Sequence, residues 1–404
     1  MPESVDACIR PLEQPRRVAR RFIFYTMVVF SLVGIPLLYL CGVITIETVN
    51  MLGRYMTFAI LAVGLDLVWG YTGILSLCQS FFFCLGGYAI GMYLAHHGGP
   101  EGIVDANGWK LPACLFVVYP YDVGQAPADA LVPWFWKPFW SLPVTLILGL
   151  VIPSVIAFII GWSGFRSRVR GVYFAILTQA ITVAAFNFFS MNNMKFCGTN
   201  GLTRFDRIAG NYHLADDKVK LVLYTITAVA LIGVYALCRH IVKSRLGRVL
   251  IAIRDDENML RFSGYKPQNY KLFAFVLGAA IAGLAGMLYV PQMKIITPWD
   301  MEASKSILVV IWVAVGGRGT LSGAVLGALV INLLYNYLTS AHEMLFFLKS
   351  MVSESTYSKM IWKAEYWQFV LGGLFICVVL LFPDGLIRLW HRLVGQPATG
   401  TYGK

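Results

Sequence analysis

The sequence is poor in charged residues. Only 13% of its 404 residues are charged and 58% are apolar, whereas soluble globular chains carry about 25% charged residues. Disordered chains combine low hydrophobicity with high charge, so this composition excludes intrinsic disorder. It also argues against a soluble enzyme of this length. The composition indicates a polytopic integral membrane protein, and we expect it to be all-α.

The sequence also lacks the motifs of catalysis and of metal binding. It contains no GxxxxGK[ST] phosphate loop, no HExxH and no GxSxG, so it offers neither this kind of ATP site nor the basis for an enzyme. None of the eight cysteines forms a CxxC pair, and we expect no metal and no other cofactor in this chain. Cys114 and Cys197 could meet outside the membrane, and the sequence leaves their pairing open.

Long apolar runs dominate what the sequence does contain. A helix needs about 20 apolar residues to cross the hydrocarbon core, and we expect about ten transmembrane or re-entrant helices, with a range of 8–10. The eighth is short, which suggests a broken or re-entrant helix. The predicted spans are 22–46, 55–75, 80–96, 141–162, 172–190, 219–240, 271–291, 303–316, 320–341 and 366–385.

The basic residues predict the orientation of the chain, because cytoplasmic loops collect Lys and Arg. With both termini inside, the inner segments hold 20 of the 33 Lys and Arg, counting Lys271 at a span edge. The formal net charge of +12 then follows from topology, and no nucleic-acid partner is needed to explain it. One transmembrane domain over 22–385 is expected, between a basic cytoplasmic tail at 1–21 and a second cytoplasmic tail at 386–404.

Two long outer segments, 97–140 and 342–365, are rich in Trp and Tyr. An interfacial aromatic belt explains this composition, and a docking surface for an extracytoplasmic partner is the alternative.

The loop 239–270 contains an amphipathic stretch from Ser244 to Gly264. Leu246, Leu250 and Ile253 follow helical spacing, and the segment is too polar to cross the membrane. The pattern alone leaves two interpretations open, a helix on the membrane surface or in solvent and a helix that docks on a partner.

Two further features lie within or beside the spans. Asp66 is a carboxylate inside a predicted span, which costs about 2.5–3.5 kcal/mol on insertion scales, so either a packing role or a functional role is expected. A glycine-rich stretch after the short span is expected to form a tight structural turn, with its Arg anchoring the inner face. It comprises Gly316, Gly317, Arg318, Gly319 and Thr320.

Several stretches resemble the permease subunits of branched-chain amino acid ABC transporters. The similar segments include 70–77 (GYTGILSL), 86–93 (GGYAIGMY) and 285–292 (AGMLYVPQ). The block 312–321 (WVAVGGRGTL) is most similar to the urea branch of the family and to its second (C) permease subunit. The resemblance runs in order from about residue 55 to 385, and it therefore covers most of the chain.

The resemblance implies an inner-membrane transport subunit with several partners. These are a second related permease, two ATP-binding subunits that carry ATP and Mg²⁺, and a periplasmic substrate-binding protein, besides membrane lipid. The segment 244–264 matches the coupling segment that docks on the ATPase. The residues expected to act in coupling are Arg248, Leu250, Ala252, Ile253, Arg254, Asp255, Asp256, Glu257 and Gly264.

The sequence then predicts an ATP-driven importer permease for urea. The alternatives are an importer permease for branched-chain amino acids or short amides, and an ATP-independent channel or secondary transporter. Gln79 stands where the family has a histidine, which points to a shifted solute. Urea needs hydrogen-bond donors and acceptors rather than charge, and the polar residues expected along its pathway are Asp66, Tyr71, Thr72, Ser76, Gln79, Thr199 and Asn200.

Overall fold

The computed structural model describes residues 34–98, 132–167 and 171–339, apart from 204 and 209–211, together with the single positions 32, 115, 372 and 373. Most of the predicted span 366–385, most of the outer segment 97–140, the segment 342–365 and both tails therefore lie outside the described residues.

The described part of the chain is a bundle of helices joined by short loops. The α-helices are α1 (Ile35–Leu40), α2 (Ile46–Thr72), α3 (Gln79–Gly98), α4 (Leu142–Arg166), α5 (Val172–Ser190), α6 (Asp217–Lys243), α7 (Arg245–Asp255), α8 (Glu257–Phe262), α9 (Pro267–Met293), α10 (Ala303–Gly316) and α11 (Leu321–Thr339). Short 3-10 helices occupy Lys137–Trp140, Asn192–Met194, Gly198–Asn200 and Pro298–Met301. The strands are β1 (Leu202–Thr203), β2 (Arg207–Ile208), β3 (Tyr212–His213) and β4 (Ile295–Ile296), in the antiparallel pairs β1–β4 and β2–β3.

Five of the described helices are long and apolar enough to cross a membrane, namely α2, α4, α5, α6 and α9. The pair α10 and α11 passes the same test and is bent by 117° at its connecting turn, so the number rises to six if the pair is one span. The predicted helical membrane fold is confirmed. The predicted count of about ten and the placement of the termini stay predictions.

Two predicted boundaries near the start of the described chain are wrong. The run 22–46 is not one uninterrupted helix, because α1 ends at Leu40 and a turn precedes α2. Helix α2 begins at Ile46, about two and a half turns before the predicted residue 55, since Thr45 caps its first turn and Lys220 pairs with Glu47 at 2.6 Å. These first turns contain the charged residues Glu47 and Arg54, so the apolar pattern did not extend over them.

Helices α2 and α9 form the centre of the bundle, and both are mostly buried. Helix α9 packs against α2, α3 and α4. Its approach to α3 needs glycine, because a Cβ at Gly86 would lie 2.7 Å from the Cα of Gly283. Helices α4, α5 and α6 are apolar, and only 28% of the most apolar window of each is buried, as expected for surfaces that face lipid or another membrane protein.

The two ends of α9 define two sides of the bundle. The helix begins at Pro267 directly after α7 and α8, and it ends at Met293 directly before β4. We call these the α7 side and the β4 side. The positive-inside pattern predicts that the α7 side is cytoplasmic.

Candidate functional site

The segment 244–264 folds as the two short helices α7 and α8. Ser244 caps α7, since its Oγ accepts a hydrogen bond from Leu246 N at 3.2 Å. Asp256 caps α8, with its Oδ1 accepting from Asn258 N at 2.8 Å. Gly264, after the end of α8, adopts a left-handed φ of 83°, which glycine tolerates without a steric penalty. These caps fix a sharp break between the two helices.

The apolar stripe of α7 faces the protein itself. Leu250 and Ile253, two of the predicted coupling residues, are buried, and α7 packs on α2, α6 and α9. A partner therefore does not reach these two side chains on the surface seen here. Their burial instead fastens the segment to the bundle through the hydrophobic effect.

Helix α8 exposes two large apolar side chains to solvent, whereas Leu250 and Ile253 of α7 are buried. Met259 is 70% exposed and Phe262 is 92% exposed. Sequence reasoning missed both residues, although their i, i+3 spacing beside charged neighbours was a visible signal. Two large apolar side chains in solvent at one short helix indicate a contact surface.

Arg254 connects α7 to the end of α2. Its Nη1 donates to the carbonyl oxygen of Gly70 at 3.0 Å, and its Nε donates to Oδ1 of Asp255 at 3.2 Å. Carbonyls in the last turn of a helix lack partners within the helix and carry the negative end of its dipole, so a guanidinium is favourable there.

Arg318 approaches the same helix end from the turn between α10 and α11. Its Nε and Nη2 donate to the carbonyl oxygen of Trp69 at 3.3 and 3.1 Å, and its guanidinium carbon lies 4.8 Å from the centre of the Trp69 ring. Asp66 accepts a hydrogen bond from Gly319 N at 2.7 Å. We call these contacts to α2, together with that of Arg254, the α2 clamp.

Glycine is required where the turn touches α2. Gly319 has a left-handed φ of 76°, and a Cβ on it would lie 3.3 Å from the carbonyl oxygen of Gly70. A Cβ on Gly70 would lie 2.6 Å from Gly319 N. The predicted glycine-rich turn is thus a close backbone contact between the α10–α11 connection and α2, and it forms this contact with its backbone amide as well as with Arg318.

A second group of polar residues surrounds the point where the chain passes from α2 to α3. Residues 73–78 are not helical, and side chains of α5 bind this segment: Leu77 N donates to Thr178 Oγ1 and Leu77 O accepts from Thr182 Oγ1, both at 3.0 Å. Ser80 and Ser306 share a hydrogen bond between α3 and α10. The buried members of this polar cluster are Ser76, Gln79, Ser80, Thr178, Thr182 and Ser306.

The predicted pathway residues fall into three places. Asp66, Tyr71 and Thr72 are buried at the clamped end of α2, and Thr72 donates to Val68 O at 2.6 Å. Ser76 and Gln79 belong to the polar cluster. Thr199 and Asn200 are exposed beside β1, which pairs with β4. The structure therefore does not bring the seven together, and their role in transport stays a prediction.

Within the described residues, no three His, Cys, Asp or Glu side chains are grouped so as to hold a metal ion. Cys197 is disulfide-bonded, and its partner lies outside the part of the chain that the structure describes.

Comparison with known proteins identifies the family. Residues 47–379 match the family model described as branched-chain amino acid transport system / permease component. The high-affinity branched-chain amino acid transport system permease protein LivM of Escherichia coli (strain K12) is 22% identical over 390 residues, covering 91% of this chain and 75% of LivM. The corresponding permease protein LivH of the same organism is 23% identical over 343 residues, covering 82% of this chain and 91% of LivH. No solved structure matches the chain. With a family match that spans most of its length, the chain belongs to the branched-chain amino acid transport system permease family of multi-pass membrane proteins.

Proposed function

We propose that this chain is a permease subunit of an ATP-driven importer of branched-chain amino acids in the inner membrane, and that ATP is hydrolysed on separate partner chains. The family match and the names of the two relatives support the solute class. The missing phosphate loop agrees with a transport subunit that depends on another chain for energy.

Import of urea is the weaker of the two solute assignments. Its main support was the block 312–321, which forms the end of α10 and the turn that contacts α2. The contacts of this block explain its residues through packing, without reference to a solute. The comparisons name branched-chain amino acids for the relatives, so we favour amino-acid import and keep urea as the other solute to be tested.

The family match carries the assignment as a permease, and the proposed coupling to an ATPase rests on the hydrogen bond from Arg254 to Gly70 O and on the exposure of Phe262. We infer that α8 inserts Met259 and Phe262 into a cleft of the ATPase subunit. Movement of α8 would then pass through α7 and Arg254 to the end of α2, and so to the break at residues 73–78. This arrangement couples a surface contact to the interior of the bundle.

Sidedness and the remaining partners follow from the same reasoning. Disulfides persist in oxidising compartments such as the periplasm, so the disulfide at Cys197 supports a periplasmic β4 side and a cytoplasmic α7 side. A periplasmic binding protein would deliver the solute to the β4 side. A second related permease would complete the pathway, as the apolar surfaces of α4, α5 and α6 allow.

The test is reconstitution of the chain with its second permease and ATPase subunits in liposomes. We expect uptake of labelled leucine that requires ATP and the binding protein, and no uptake by this chain alone. Ala252→Pro should abolish uptake, because proline in the interior of α7 removes a helix hydrogen bond and costs about 3 kcal/mol. Ala252→Ser is the matched control and should transport normally.

The outcomes separate the candidate functions. Uptake by this chain alone would establish a channel or secondary transporter and overturn the proposal. ATP-driven uptake of urea but not of leucine would replace the solute while retaining the importer. Normal transport by the proline variant would remove α7 from the coupling pathway.

A further inference from the structure

The break between α2 and α3 places the beginning of α3 within the bundle. A Cβ on Gly278 would lie 3.6 Å from Nε2 of Gln79 and 2.7 Å from Cγ2 of Val68. Gly278 is 11 residues from the first residue of α9 and 15 from the last, or about 17 and 23 Å at 1.5 Å per residue. Gln79 therefore lies at a depth close to the middle of α9, whereas α2 continues to the clamp.

Irregular backbone at this depth is informative. A chain inside a membrane keeps its backbone groups hydrogen-bonded, and non-helical segments occur there only where protein covers them or where they line a cavity. Discontinuous helices near the middle of transporters commonly mark the solute site. The segment 73–78 meets this description, and its Leu77 is fixed by α5.

Most of the polar cluster is already hydrogen-bonded. Thr178 and Thr182 bind Leu77, Ser80 binds Ser306, and Ser76 Oγ lies 3.3 Å from Sγ of Cys78. These contacts satisfy the small hydroxyl groups and explain them as parts of the scaffold.

Gln79 differs from its neighbours. Its side chain is 0% exposed, and neither Oε1 nor Nε2 has a hydrogen-bond partner among the described residues. A buried amide without partners is unfavourable, because it has lost its hydrogen bonds to water and forms none within the protein. Such a group in a native protein calls for a ligand, a water molecule or a functional state in which it is satisfied.

The position of Gln79 favours one kind of ligand atom. Gln79 is the first residue of the 20-residue helix α3, and the beginning of a helix carries the positive end of its dipole and unpaired N–H groups. A neutral amide with this field suits an sp² oxygen, which accepts from Nε2. A carboxylate gains more from the field than an uncharged carbonyl does.

We propose that the Gln79 amide, at the start of α3, is a solute-binding group of this permease and donates to the carboxylate or carbonyl oxygen of the transported molecule. This inference deepens the proposed importer function and rests on it for the identity of the solute. The carboxylate of a branched-chain amino acid and the carbonyl of urea share this chemistry.

Gln79→Leu tests the proposal because it keeps the approximate size and removes both polar atoms. In the assembled importer we expect uptake of labelled leucine to fall at least about tenfold. The thermal unfolding midpoint should not fall, since no hydrogen bond within the protein is lost. The matched control is Gln292→Met, where the wild-type Nε2 donates to Thr227 Oγ1 at 2.8 Å and to Leu288 O at 3.0 Å. That variant should lower the unfolding midpoint while each folded complex still transports.

A binding measurement separates this inference from the proposed function. The full chain in nanodiscs is heated with and without millimolar leucine or urea, and the solute-dependent shift of the unfolding midpoint is compared between wild type and Gln79→Leu. A shift that the substitution abolishes supports the binding group even if the wild-type importer fails to use ATP. Equal shifts in both proteins, equal uptake in both, or no shift with either solute would overturn the proposal and leave a water molecule as the partner of the amide.

Gln79→Glu distinguishes the two candidate solutes, an amino acid that offers a carboxylate oxygen and urea that offers a carbonyl oxygen. A second carboxylate repels the carboxylate of leucine, so this variant should lose the leucine-dependent shift and leucine uptake. Urea carries no net charge and can turn so that one of its N–H groups donates to the new carboxylate, so a urea transporter should retain a urea-dependent shift with this variant. Retention of the leucine shift by Gln79→Glu would contradict the proposed contact.

Discussion

At the scale of single residues, Arg254 is the contact between the surface segment and the interior. Arg254→Gln removes the guanidinium that donates to Gly70 O at 3.0 Å. A hydrogen bond to a charged group contributes about 1.5–3 kcal/mol. We expect ATP-driven uptake to fall about tenfold or more, in line with 1.4 kcal/mol per factor of ten, while ATP hydrolysis by the assembled complex stays within about twofold of wild type. The measurement is the ratio of solute transported to ATP hydrolysed.

The matched control for Arg254 is Lys266→Gln. Lys266 is an exposed cation at the start of α9, so the variant removes the same charge from the same loop and should keep the wild-type ratio. A parallel loss of ATP hydrolysis and uptake in Arg254→Gln would show that the residue acts in ATPase docking rather than in the connection to α2.

The residues of the clamp also show what the sequence could and could not predict. Asp66 was recognised as an unusual intramembrane carboxylate, and the turn at Arg318 was recognised as structural. Their contact was not predictable, because 253 positions separate Asp66 from Gly319 and no local pattern joins them. The unpartnered state of Gln79 is likewise visible only when α2, α9 and α10 are packed around it.

At the scale of elements, Glu257 fastens α8 to α9. Its Oε1 accepts from Arg261 Nη2 at 2.5 Å within α8, and its Oε2 accepts from Lys271 Nζ at 2.7 Å. Lys271 is buried. Removing one partner of a buried ion pair costs about 3–5 kcal/mol, because the remaining charge has neither water nor a counterion.

We therefore expect Glu257→Gln to lower the free energy of unfolding by up to about 3 kcal/mol, the lower end of that range, because the pair is only partly buried. Denaturant titration in detergent measures this change. Glu47→Gln is the matched control, since Glu47 pairs with Lys220 at 2.6 Å and its side chain is 71% exposed. An exposed pair contributes about 0–1 kcal/mol. Equal effects of the two substitutions would show that the pair between α8 and α9 is not a structural connection.

The predictability of the elements depended on their surroundings. The predicted span 172–190 coincides with α5, and 303–316 coincides with α10, because predominantly apolar runs bounded by polar loops define such helices. The beginning of α2 was predicted too late, since the ion pair at Glu47 lets charged residues enter the helix. The coupling segment was predicted as helical. The burial of Leu250 and Ile253 depends on packing against α2, α6 and α9, which no local pattern shows.

At the scale of the whole molecule, the orientation in the membrane connects every proposed role. The basic loops predict a cytoplasmic α7 side, and the disulfide at Cys197 favours an oxidising environment on its own side of the bundle. Docking of an ATPase at Phe262 and delivery of solute near Thr199 require these two sides to be opposite. A reversed orientation would therefore contradict most of the proposed mechanism.

Cysteine labelling measures this orientation directly. We expect Phe262→Cys, in a background with Cys8, Cys41 and Cys377 replaced by serine, to react with a membrane-impermeant maleimide only in inverted membrane vesicles. Thr199→Cys should react only from outside in intact cells, because its position is exposed beside β1. The background without either new cysteine is the control. It should remain unlabelled, since Cys78, Cys84 and Cys238 are buried and Cys114 is retained as the candidate partner of the bonded Cys197. Labelling of Phe262→Cys from the outside would place α8 on the side without ATP and would contradict the ATPase contact. Labelling of both positions from one side would contradict the separation of the α7 and β4 sides by the membrane.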